Sequence, residues 1–377
     1  MMNRSLKIGF DAKRAFYNKR GLGNYSREAI RILSELKPDN DYFLFTPKTE
    51  NAIKFPLKSN CKIIKPSGLY AKFPSLWRTV GQCKEIRQEK PDIYHGLSHE
   101  LPCGIEKCNI RTIVTMHDVI FLKHPELFPL LDRYSFRKKY KRSCQVADKI
   151  IAISKQTKCD LIEYMGIDEK KIDVVYQGCN PIFKQPVPEE TRKNILSKYS
   201  LPSNYMLIVC AIEKRKNQEI ILKAMHVGEI NIPLVIIGRP SAYKNELLQL
   251  ISKYGLQEKV IFLHDIETAE LPAIYQSAKL FVYPSLFEGF GIPILEALTS
   301  GVPVITSKGS CFEETGGKAA RYVANDDAEE LADAIREITG NKALAQQMIM
   351  EGNLHAELFS DENIANSLMR IYNYGYG

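Results

Sequence analysis

The chain has 377 residues, more than one hydrophobic core usually supports, so two domains are expected. Apolar residues make up 45% and charged residues 25%, an ordinary balance for a soluble protein, and no apolar run reaches the roughly 18 residues of a membrane-spanning helix. The net charge of +8 is uneven, because residues 1–180 carry 33 Lys and Arg against 20 Asp and Glu, and the rest carry 19 against 24. The cationic first half predicts either an anionic partner or simply high solubility.

The start of the chain and its cysteines both indicate a reducing compartment. The apolar run at Leu6–Phe10 is too short for a signal peptide. Nine cysteines are scattered without a C-x-x-C pair, which predicts neither a zinc site nor a disulfide framework. We therefore expect a cytoplasmic protein.

The first half of the chain alternates short apolar strands with helices, as in a parallel α/β sheet. Strands are predicted at Leu6–Phe10, Tyr42–Thr46, Cys61–Lys65, Ile93–His95, Arg111–Met116, Lys149–Ile153 and Asp173–Tyr176. After the first strand, a loop containing Gly21 and Gly23 is predicted to lead into a helix over Ser26–Leu36. The loop is a weak dinucleotide signal, because Ser26 replaces the third glycine of G-x-G-x-x-G.

A proline-rich stretch, residues 181–203, separates this series from a second one and is predicted to be a linker. In the second series, strands are predicted at Tyr205–Cys210, Leu234–Ile237, Lys259–Leu263, Leu280–Tyr283 and Val302–Thr306, with helices between them. The sequence thus predicts two Rossmann-like domains, over residues 1–180 and 204–358, that face each other across a cleft. Residues 359–377 are expected to form a final helix.

The stretch most informative for function is Tyr283–Ala297, where a strand runs into a glycine loop and then a helix. Pro293 suits the start of that helix, and a glycine loop at a helix N-terminus offers N–H groups and a partial positive charge to a phosphate. Glu288 precedes the helix and Glu296 lies about one turn inside it, so one carboxylate can address a sugar and the other ribose hydroxyls. An ordinary turn with two solvated glutamates would show the same pattern.

A group of charged residues, Glu213–Asn217, follows the first strand of the same series. Arg215 and Lys216 would lie at the mouth of a parallel sheet, where such folds bind ligands. Cations there suit a diphosphate, because a nucleoside diphosphate gains negative charge as a glycosidic bond to it breaks. A solvated basic loop is the alternative.

Together these segments resemble a known enzyme family. Residues 287–297 and 300–305 are similar to the E-x7-E signature of family 4 glycosyltransferases, which retain anomeric configuration and have the two-domain GT-B fold. The similarity continues, in order and over nearly the whole chain, through Thr115–Asp118, Ile153–Lys155, Val175–Gly178, Arg215–Asn217 and Glu314–Gly317. The resemblance implies a donor site in the C-terminal domain and a last helix that crosses back to the N-terminal domain.

The resemblance also implies roles for single residues. His117 and Glu288 are the catalytic candidates, since both would reach the transferred sugar. The end of an apolar strand just before His117 independently favours a functional role. The donor-binding candidates are Gly23, Arg215, Lys216, Phe290, Gly291, Ile292 and Glu296. The acceptor-binding candidates are Arg14, Tyr17 and Asp118. For Arg14 and Tyr17, a position in a solvated loop without a binding role is an equally good interpretation.

Two further segments bear on metal and membrane partners. Asp39–Asp41 spells a D-x-D motif, which in another glycosyltransferase architecture holds a divalent ion. Here the motif follows Pro38 and is predicted to be a surface turn. We therefore expect no metal or other cofactor. The basic, aromatic segment Arg133–Arg142 predicts either a solvated helix packed on the core or a contact with an anionic membrane. The inner face of the membrane is therefore a candidate partner.

The resulting hypothesis is a retaining transfer of a hexose from a nucleoside diphosphate sugar to a glycan or lipid-linked glycan, in polysaccharide or cell-surface glycan biosynthesis. Members of the family with this style of N-terminal loop often use GDP-mannose, which favours a mannosyltransferase. A glycosidic phosphorylase or a sugar-nucleotide synthase on the same scaffold is the alternative. A nicotinamide oxidoreductase is a third option, and nucleic-acid binding is disfavoured by the lack of a basic–aromatic sheet or recognition helix.

Overall fold

The computed structural model describes residues 4–50, 52–73 and 76–374. These residues form two compact units. The first contains the described residues up to Gly178 together with those from Ser360 onward, and the second is Cys179–Phe359. Each unit is built on one parallel sheet, which confirms the α/β class expected from the strand–helix alternation.

The first unit contains seven strands in the order β3-β2-β1-β4-β5-β6-β7. They are β1 (Lys7–Asp11), β2 (Asp41–Phe45), β3 (Cys61–Ile64), β4 (Ile93–Gly96), β5 (Arg111–Met116), β6 (Lys149–Ala152) and β7 (Ile172–Val174). Its α-helices before residue 178 are α1 (Lys13–Tyr17), α2 (Gly21–Leu36), α3 (Cys83–Glu89), α4 (Ile120–Lys123), α5 (Leu130–Val146) and α6 (Lys155–Met165).

The second unit contains six strands in the order β10-β9-β8-β11-β12-β13. They are β8 (Met206–Val209), β9 (Leu234–Ile237), β10 (Val260–Leu263), β11 (Leu280–Tyr283), β12 (Val304–Ser307) and β13 (Ala320–Val323). Its α-helices are α7 (Glu189–Lys198), α8 (Gln218–Val227), α9 (Tyr243–Lys253), α10 (Leu271–Ser277), α11 (Ile292–Thr299), α12 (Phe312–Gly316), α13 (Ala328–Gly340) and α14 (Lys342–Ala356).

The strand order places a ligand-binding position in each sheet. From β8 the chain moves to β9 on one side, and from β11 it moves to β12 on the other, so the loops that leave these neighbouring strands diverge. A doubly wound sheet binds its ligand in the crevice at the carboxyl ends of such a strand pair. In the first unit the corresponding pair is β1 and β4. The continuous apolar sequences of the central strands fit a sheet covered on both faces.

The C-terminal helix α15 (Asp361–Asn373) belongs to the first unit, as the family resemblance implied. It packs on α2, where Arg31 Nη2 lies 2.8 Å from Asp361 Oδ2. At its other end the Tyr372 hydroxyl lies 2.7 Å from His95 Nδ1 on β4. Among the described residues, no helix has both the length and the apolar character needed to cross a membrane.

The proline-rich stretch at residues 181–203 is part of the second unit. It contains α7, which packs on α10 through an ion pair of 2.6 Å between Lys198 and Glu270. The Val187 N–H donates to Gln276 Oε1 at 2.9 Å. The prolines therefore flank a docked helix, which the sequence analysis did not anticipate.

The predicted glycine loop after β1 is wrong, because both glycines lie inside helix α2, which begins at Gly21. An added Cβ at Gly23 would lie 1.7 Å from the carbonyl oxygen of Asn18, whereas one at Gly21 would meet nothing within 4 Å. Gly23 is thus required by the close approach of the preceding backbone. It is not required by a turn.

Gly23→Ala should therefore lower the free energy of unfolding by about 2–3 kcal/mol, because the backbone of residue 18 must move to admit the methyl group. Gly21→Ala is the matched control in the same helical turn, and it should be neutral or stabilising by up to about 1 kcal/mol. Urea unfolding of both variants measures the difference. Equal stability of the two would contradict the packing argument.

Candidate active site

Arg215, Lys216 and Glu288 come together at the carboxyl ends of β8 and β11. The two cations lie in a short turn at Lys214–Lys216 after β8, and Glu288 lies in the loop after β11. Two hydrogen bonds join these segments, since the carbonyl oxygen of Arg215 accepts from the Leu286 N–H at 2.9 Å and from Ser285 Oγ at 3.1 Å. The turn and the loop thus form one structure at the position where the strand order predicts a ligand.

Glu288 is the centre of this cluster. Its Oε2 lies 2.9 Å from Arg215 Nη1, and its Oε1 accepts from Lys216 Nζ, from Ser285 Oγ at 2.7 Å and from the Tyr283 hydroxyl at 3.0 Å. Burial would raise the pKa of Glu288, but the charges of Lys216 and Arg215 outweigh it and hold the pKa at about 2. The carboxylate is therefore ionised at physiological pH and surrounded by donors.

In the buried part of the cluster two cations face one carboxylate, because the other acidic neighbour, Glu213, is 47% exposed and lies 3.7 Å from Arg215 Nη2. Lys216 is only 7% exposed. Arg215 is more accessible, at 22% of its side chain, and it is oriented by a 2.9 Å hydrogen bond from Nη1 to the carbonyl oxygen of Phe287. A fixed, partly desolvated excess of positive charge at the end of a parallel sheet suits an anionic ligand.

The tip of helix α11 lies directly after this loop. Gly291 has a φ of +101°, a conformation that a side chain would strain, and it precedes the first helical residue, Ile292. The carbonyl oxygen of Phe290 accepts from Thr315 Oγ1, which fixes the backbone at the tip. Pro293 has no N–H, and the Ile294 N–H donates to the carbonyl oxygen of Gly291 at 2.9 Å. The donors that this tip adds beside the cations are therefore the N–H groups of Gly291 and Ile292, together with the partial positive charge of the helix end.

Glu296, one turn inside α11, lies outside the ion cluster. Its Oε2 accepts from the Tyr275 hydroxyl of α10 at 2.9 Å. Burial raises the pKa of Glu296 to about 7, and the hydrogen bond from Tyr275 offsets only part of that effect. Tyr275 and Tyr283 both pack on Phe281, with ring centroids 5.3 and 5.9 Å apart, so an aromatic layer connects the surroundings of the two carboxylates.

Glu296→Gln should stabilise the protein near pH 8 and have little effect near pH 5. The folded pKa of about 7 lies above the ordinary value of 4.5, so the folded state binds the proton more tightly than the unfolded chain does. Stability is therefore full below about pH 4.5, falls as the pH rises through about 7, and stays lower above that. The amide of Glu296→Gln does not ionise and therefore avoids this loss of stability. We expect its free energy of unfolding at pH 8 to exceed that of the parent by on the order of 1–3 kcal/mol.

Urea unfolding at the two pH values measures this effect. Glu270→Gln is the control, and its effect on stability should have the opposite sign, because hydrogen bonds from Lys198 and Tyr199 lower the pKa of Glu270. Its amide variant should be less stable than the parent at pH 8. A Glu296→Gln effect that does not change between pH 5 and pH 8 would contradict the assignment.

His117 is buried at the carboxyl end of β5 in the first unit. Its Nε2 donates to the carbonyl oxygen of Leu97 at 2.9 Å, which makes Nδ1 the acceptor of the neutral ring. The ring packs edge-on against Tyr25, with centroids 4.6 Å apart. Burial lowers the pKa of His117 to about 3, and neighbouring His99 lowers it further. His117 can therefore accept a hydrogen bond at physiological pH but does not supply a proton.

The three acceptor candidates have different surroundings. Arg14 follows β1 in α1, and its buried Nε has no hydrogen-bond partner among the described residues. Asp118 follows His117, and its Oδ1 accepts from the Ile120 N–H at 3.2 Å. The Tyr17 hydroxyl instead donates to the carbonyl oxygen of Glu50 at 3.0 Å, which ties this side chain to the chain after β2.

The sequence analysis missed three site residues. Tyr283 and Ser285 were quoted within the signature stretch but given no role, although each donates to Glu288. Their position at a strand end, within five residues of Glu288, was the available signal. Tyr275 gave no such signal, because its contact with Glu296 depends on how α10 and α11 pack.

The segment Asp39–Asp41 forms a turn that enters β2, as its position after a proline predicted. Across residues 4–50, 52–73 and 76–374, no three His, Cys, Asp or Glu side chains converge as metal ligands would.

Two doubly wound sheets, with a cation pair and a helix tip at the switch point of one, are typical of the α/β proteins that bind an anionic ligand at the carboxyl ends of their strands. Comparison with protein-family models identifies the family within this class of α/β proteins. The model described as Glycosyl transferases group 1 matches residues 191–355, and the model described as Glycosyltransferase Family 4 matches residues 20–182. The chain belongs to the family 4 glycosyltransferases.

Individual relatives agree with this assignment. The chain is 26% identical over 384 residues to O-antigen chain mannosyltransferase B of Escherichia coli, covering 97% of this chain and 99% of the relative. Sucrose-phosphate synthase from Thermosynechococcus elongatus has the same fold, with 21% identity, 99% of each chain covered and a TM-score of 0.77. So does HepE from Anabaena in complex with UDP and glucose, with 16% identity, 98% and 99% coverage and a TM-score of 0.73. The expected GT-B fold is confirmed.

Proposed function

We propose that the protein transfers a hexose, with mannose favoured, from a nucleoside diphosphate sugar to a hydroxyl group of a glycan or lipid-linked glycan. The observation that carries the proposal is the cation pair Arg215–Lys216, held beside the tip of α11 at the switch point of the second sheet. The name of the E. coli relative supports mannose and a cell-surface polysaccharide, and the UDP in the HepE complex supports a nucleoside diphosphate.

In this proposal the donor is held by the second unit. Arg215 and Lys216 neutralise the diphosphate, and the N–H groups of Gly291 and Ile292 donate to its oxygens. Glu296 accepts from the ribose hydroxyls, which favours its ionised form. Two fixed cations and a helix tip supply the positive charge that a metal ion would otherwise bring, so no metal is required.

The reaction breaks the bond between the sugar C1 and the diphosphate oxygen, which keeps the electron pair. The acceptor oxygen bonds to C1 on the same face, and its proton passes to the departing phosphate. Glu288 contacts the sugar and remains ionised while C1 becomes positive. Its two oxygens already accept from four side chains, which makes it a poor covalent nucleophile and supports retention without a glycosyl-enzyme intermediate.

His117 would act as a hydrogen-bond acceptor from a hydroxyl of the transferred sugar. Its neutral ring and the donation of Nε2 to Leu97 support this role over acid catalysis. Gly23 would bring the first turn of α2 close to the donor. Arg14 and Asp118 would contact the acceptor, whereas the hydrogen bond of Tyr17 to Glu50 gives that residue less support.

A membrane contact through α5 is also proposed. Phe136 and Tyr140 of this helix pack against the core of the first unit. One side of the basic segment Arg133–Arg142 therefore faces the core, and only its other side faces solvent. The helix start is different, since Leu130, Leu131 and Tyr134 are 75%, 85% and 71% exposed. Exposed apolar side chains beside basic ones suit the interface of an anionic bilayer. The basic residues of the same helix are Arg133, Arg137, Lys138, Lys139, Lys141 and Arg142.

The protein should sediment with vesicles that contain phosphatidylglycerol but not with pure phosphatidylcholine, and Leu131→Ser should weaken the binding severalfold. Leu354→Ser is the matched control, because Leu354 is similarly exposed, at 77%, in the second unit. Absence of binding to anionic vesicles at low salt would contradict the contact.

The donor is identified by a thermal-shift screen against GDP, UDP and ADP and their sugars, followed by product analysis. We expect a rise in Tm with one nucleotide, transfer of its hexose and, by NMR, the same anomeric configuration in product and donor. If no nucleotide stabilises the protein and inorganic phosphate instead drives cleavage of a glycan, the enzyme is a phosphorylase. Consumption of a nucleoside triphosphate and a sugar phosphate would instead identify a sugar-nucleotide synthase.

A further inference from the structure

The loop that leads into the tip of α11 is held on one side by α12. Thr315 Oγ1 donates to the carbonyl oxygen of Phe290, and Cys311 Sγ, just before α12, donates to the carbonyl oxygen of Glu288 at 3.3 Å. A trans peptide group is planar, so a fixed carbonyl at Phe290 also fixes the direction of the Gly291 N–H. α12 therefore orients one of the two donors at the tip.

On its other side the loop is held by an aromatic contact between Phe290 and Phe359. The two rings meet edge to face, with centroids 5.5 Å apart and 77° between their planes, a geometry that aromatic pairs favour. Both residues are buried, at 2% and 3% exposed. Phe359 ends the short turn Glu357–Phe359 after α14 and is the last residue of the second unit. A residue distant in sequence thus limits the conformations of Phe290.

His355 connects these two supports. Its Nε2 donates to the carbonyl oxygen of Glu314 at 3.1 Å, and its ring packs on Phe359 with centroids 5.4 Å apart. The ring also lies against the backbone after α12, since an added Cβ at Gly317 would be 2.5 Å from it. Glu314 and Thr315 are neighbours in α12, so Phe290, Phe359, His355 and α12 form one closed ring of contacts.

The backbone inside this ring of contacts has no other regular support. Residues 284–291, all of which the structure describes, lie between β11 and α11 outside any helix or strand. The direction of the Gly291 N–H is therefore set by side chains. A donor that is fixed in advance binds an anion more tightly than one that must be ordered on binding, because its conformational entropy is already lost.

We propose that Phe359 is a positioning residue for the donor site: its ring holds Phe290, and through Phe290 it directs the Gly291 N–H at the diphosphate of the donor. The inference rests on the proposed function, in which that N–H donates to a phosphate oxygen. Phe359 touches neither the donor nor the acceptor. It acts only through the backbone of the tip.

The test replaces the Phe359 ring by a smaller apolar side chain. Phe359→Leu keeps most of the volume but loses the edge-to-face contact. We expect the Kd of the nucleoside diphosphate that raises the Tm most, and the donor KM, to rise about tenfold, because a hydrogen bond to a charged oxygen is weakened. The acceptor KM should stay within about twofold of the value of the parent. Calorimetry and steady-state kinetics measure these constants.

A double-mutant cycle shows whether Phe359 acts through Phe290. Phe290→Leu alone should raise the same Kd about tenfold. Once that contact is lost, adding Phe359→Leu should change the Kd by less than about threefold, since coupled residues are not additive. Independent effects that multiply to about a hundredfold would contradict the path through Phe290.

Ile251→Val is the control for a loss of packing alone. Ile251 is 5% exposed in the last turn of α9, which ends at the amino ends of the strands, away from the donor site. This variant should lower the Tm but leave the Kd and both KM values within about twofold. If Phe359→Leu behaves in the same way, the inference is overturned while transfer itself continues. A parent protein that binds no nucleoside diphosphate would instead refute the proposed function, and the inference with it.

Discussion

Glu288→Gln is expected to bind the nucleoside diphosphate product about tenfold more tightly while transferring sugar at least a hundredfold more slowly. The variant leaves Arg215 and Lys216 without their buried counter-charge, so the diphosphate meets a cluster with one more positive charge than in the parent. Tenfold corresponds to about 1.4 kcal/mol, a modest share of one added charge in a partly buried site. Transfer slows because the negative charge near the developing positive C1 is lost, and removing one such group costs roughly 10²–10³ in kcat.

Calorimetry with the product nucleotide and steady-state kinetics measure the two effects. Glu270→Gln is the matched control, because it removes a carboxylate from an ion pair in the same unit, with Lys198, outside the cluster. Its dissociation constant for the product nucleotide and its kcat should both stay within about twofold of the values of the parent. Weaker nucleotide binding by Glu288→Gln, or unimpaired transfer, would contradict the proposed division of roles.

Arg215→Ala and Lys216→Ala should have the opposite effect on binding. Each removes one of the charges that face the diphosphate, and we expect about tenfold to hundredfold weaker binding of the nucleoside diphosphate, with kcat/KM lower by roughly 10²–10³. Lys216→Ala should be the more severe, because Lys216 is almost fully buried and its loss also leaves Glu288 with fewer donors.

Lys214→Ala provides the control in the same turn. Lys214 has the same charge and lies one residue before Arg215, but its side chain is 70% exposed and pairs with Glu246 at 3.4 Å. An exposed pair of this kind contributes little, so binding and turnover should change by less than about threefold. Equal defects in Lys214→Ala and Arg215→Ala would mean that general electrostatic attraction, and not a fixed diphosphate site, explains the binding.

The fold was accessible from the sequence because parallel strands covered on both faces are continuous apolar runs. Leu280–Tyr283 was predicted with the bounds that the structure gives β11, since this run is fully buried and lies between Lys279 and Pro284. The positions of Arg215 and Glu288 at neighbouring strand ends followed from the same reasoning, because a doubly wound order brings the first and fourth strands of such a series side by side.

The parts that could not be predicted depend on tertiary contacts. Gly23 was read as a turn residue, but the carbonyl of Asn18 approaches it from the preceding segment, which no local pattern reveals. The prolines around α7 were taken as a linker, although the helix between them docks on α10. The pairing of Glu296 with Tyr275 and the contact of Phe290 with Phe359 likewise join residues that are distant in sequence or carry no recognisable motif.

The most direct test of the central claim is a structure of the complex with the nucleoside diphosphate that raises the Tm most. The account predicts phosphate oxygens within hydrogen-bonding distance of the Arg215 guanidinium and Lys216 Nζ, with the N–H groups of Gly291 and Ile292 directed at the same group. A diphosphate bound elsewhere, with Arg215 and Lys216 still paired to Glu288 and contacting no phosphate, would contradict it.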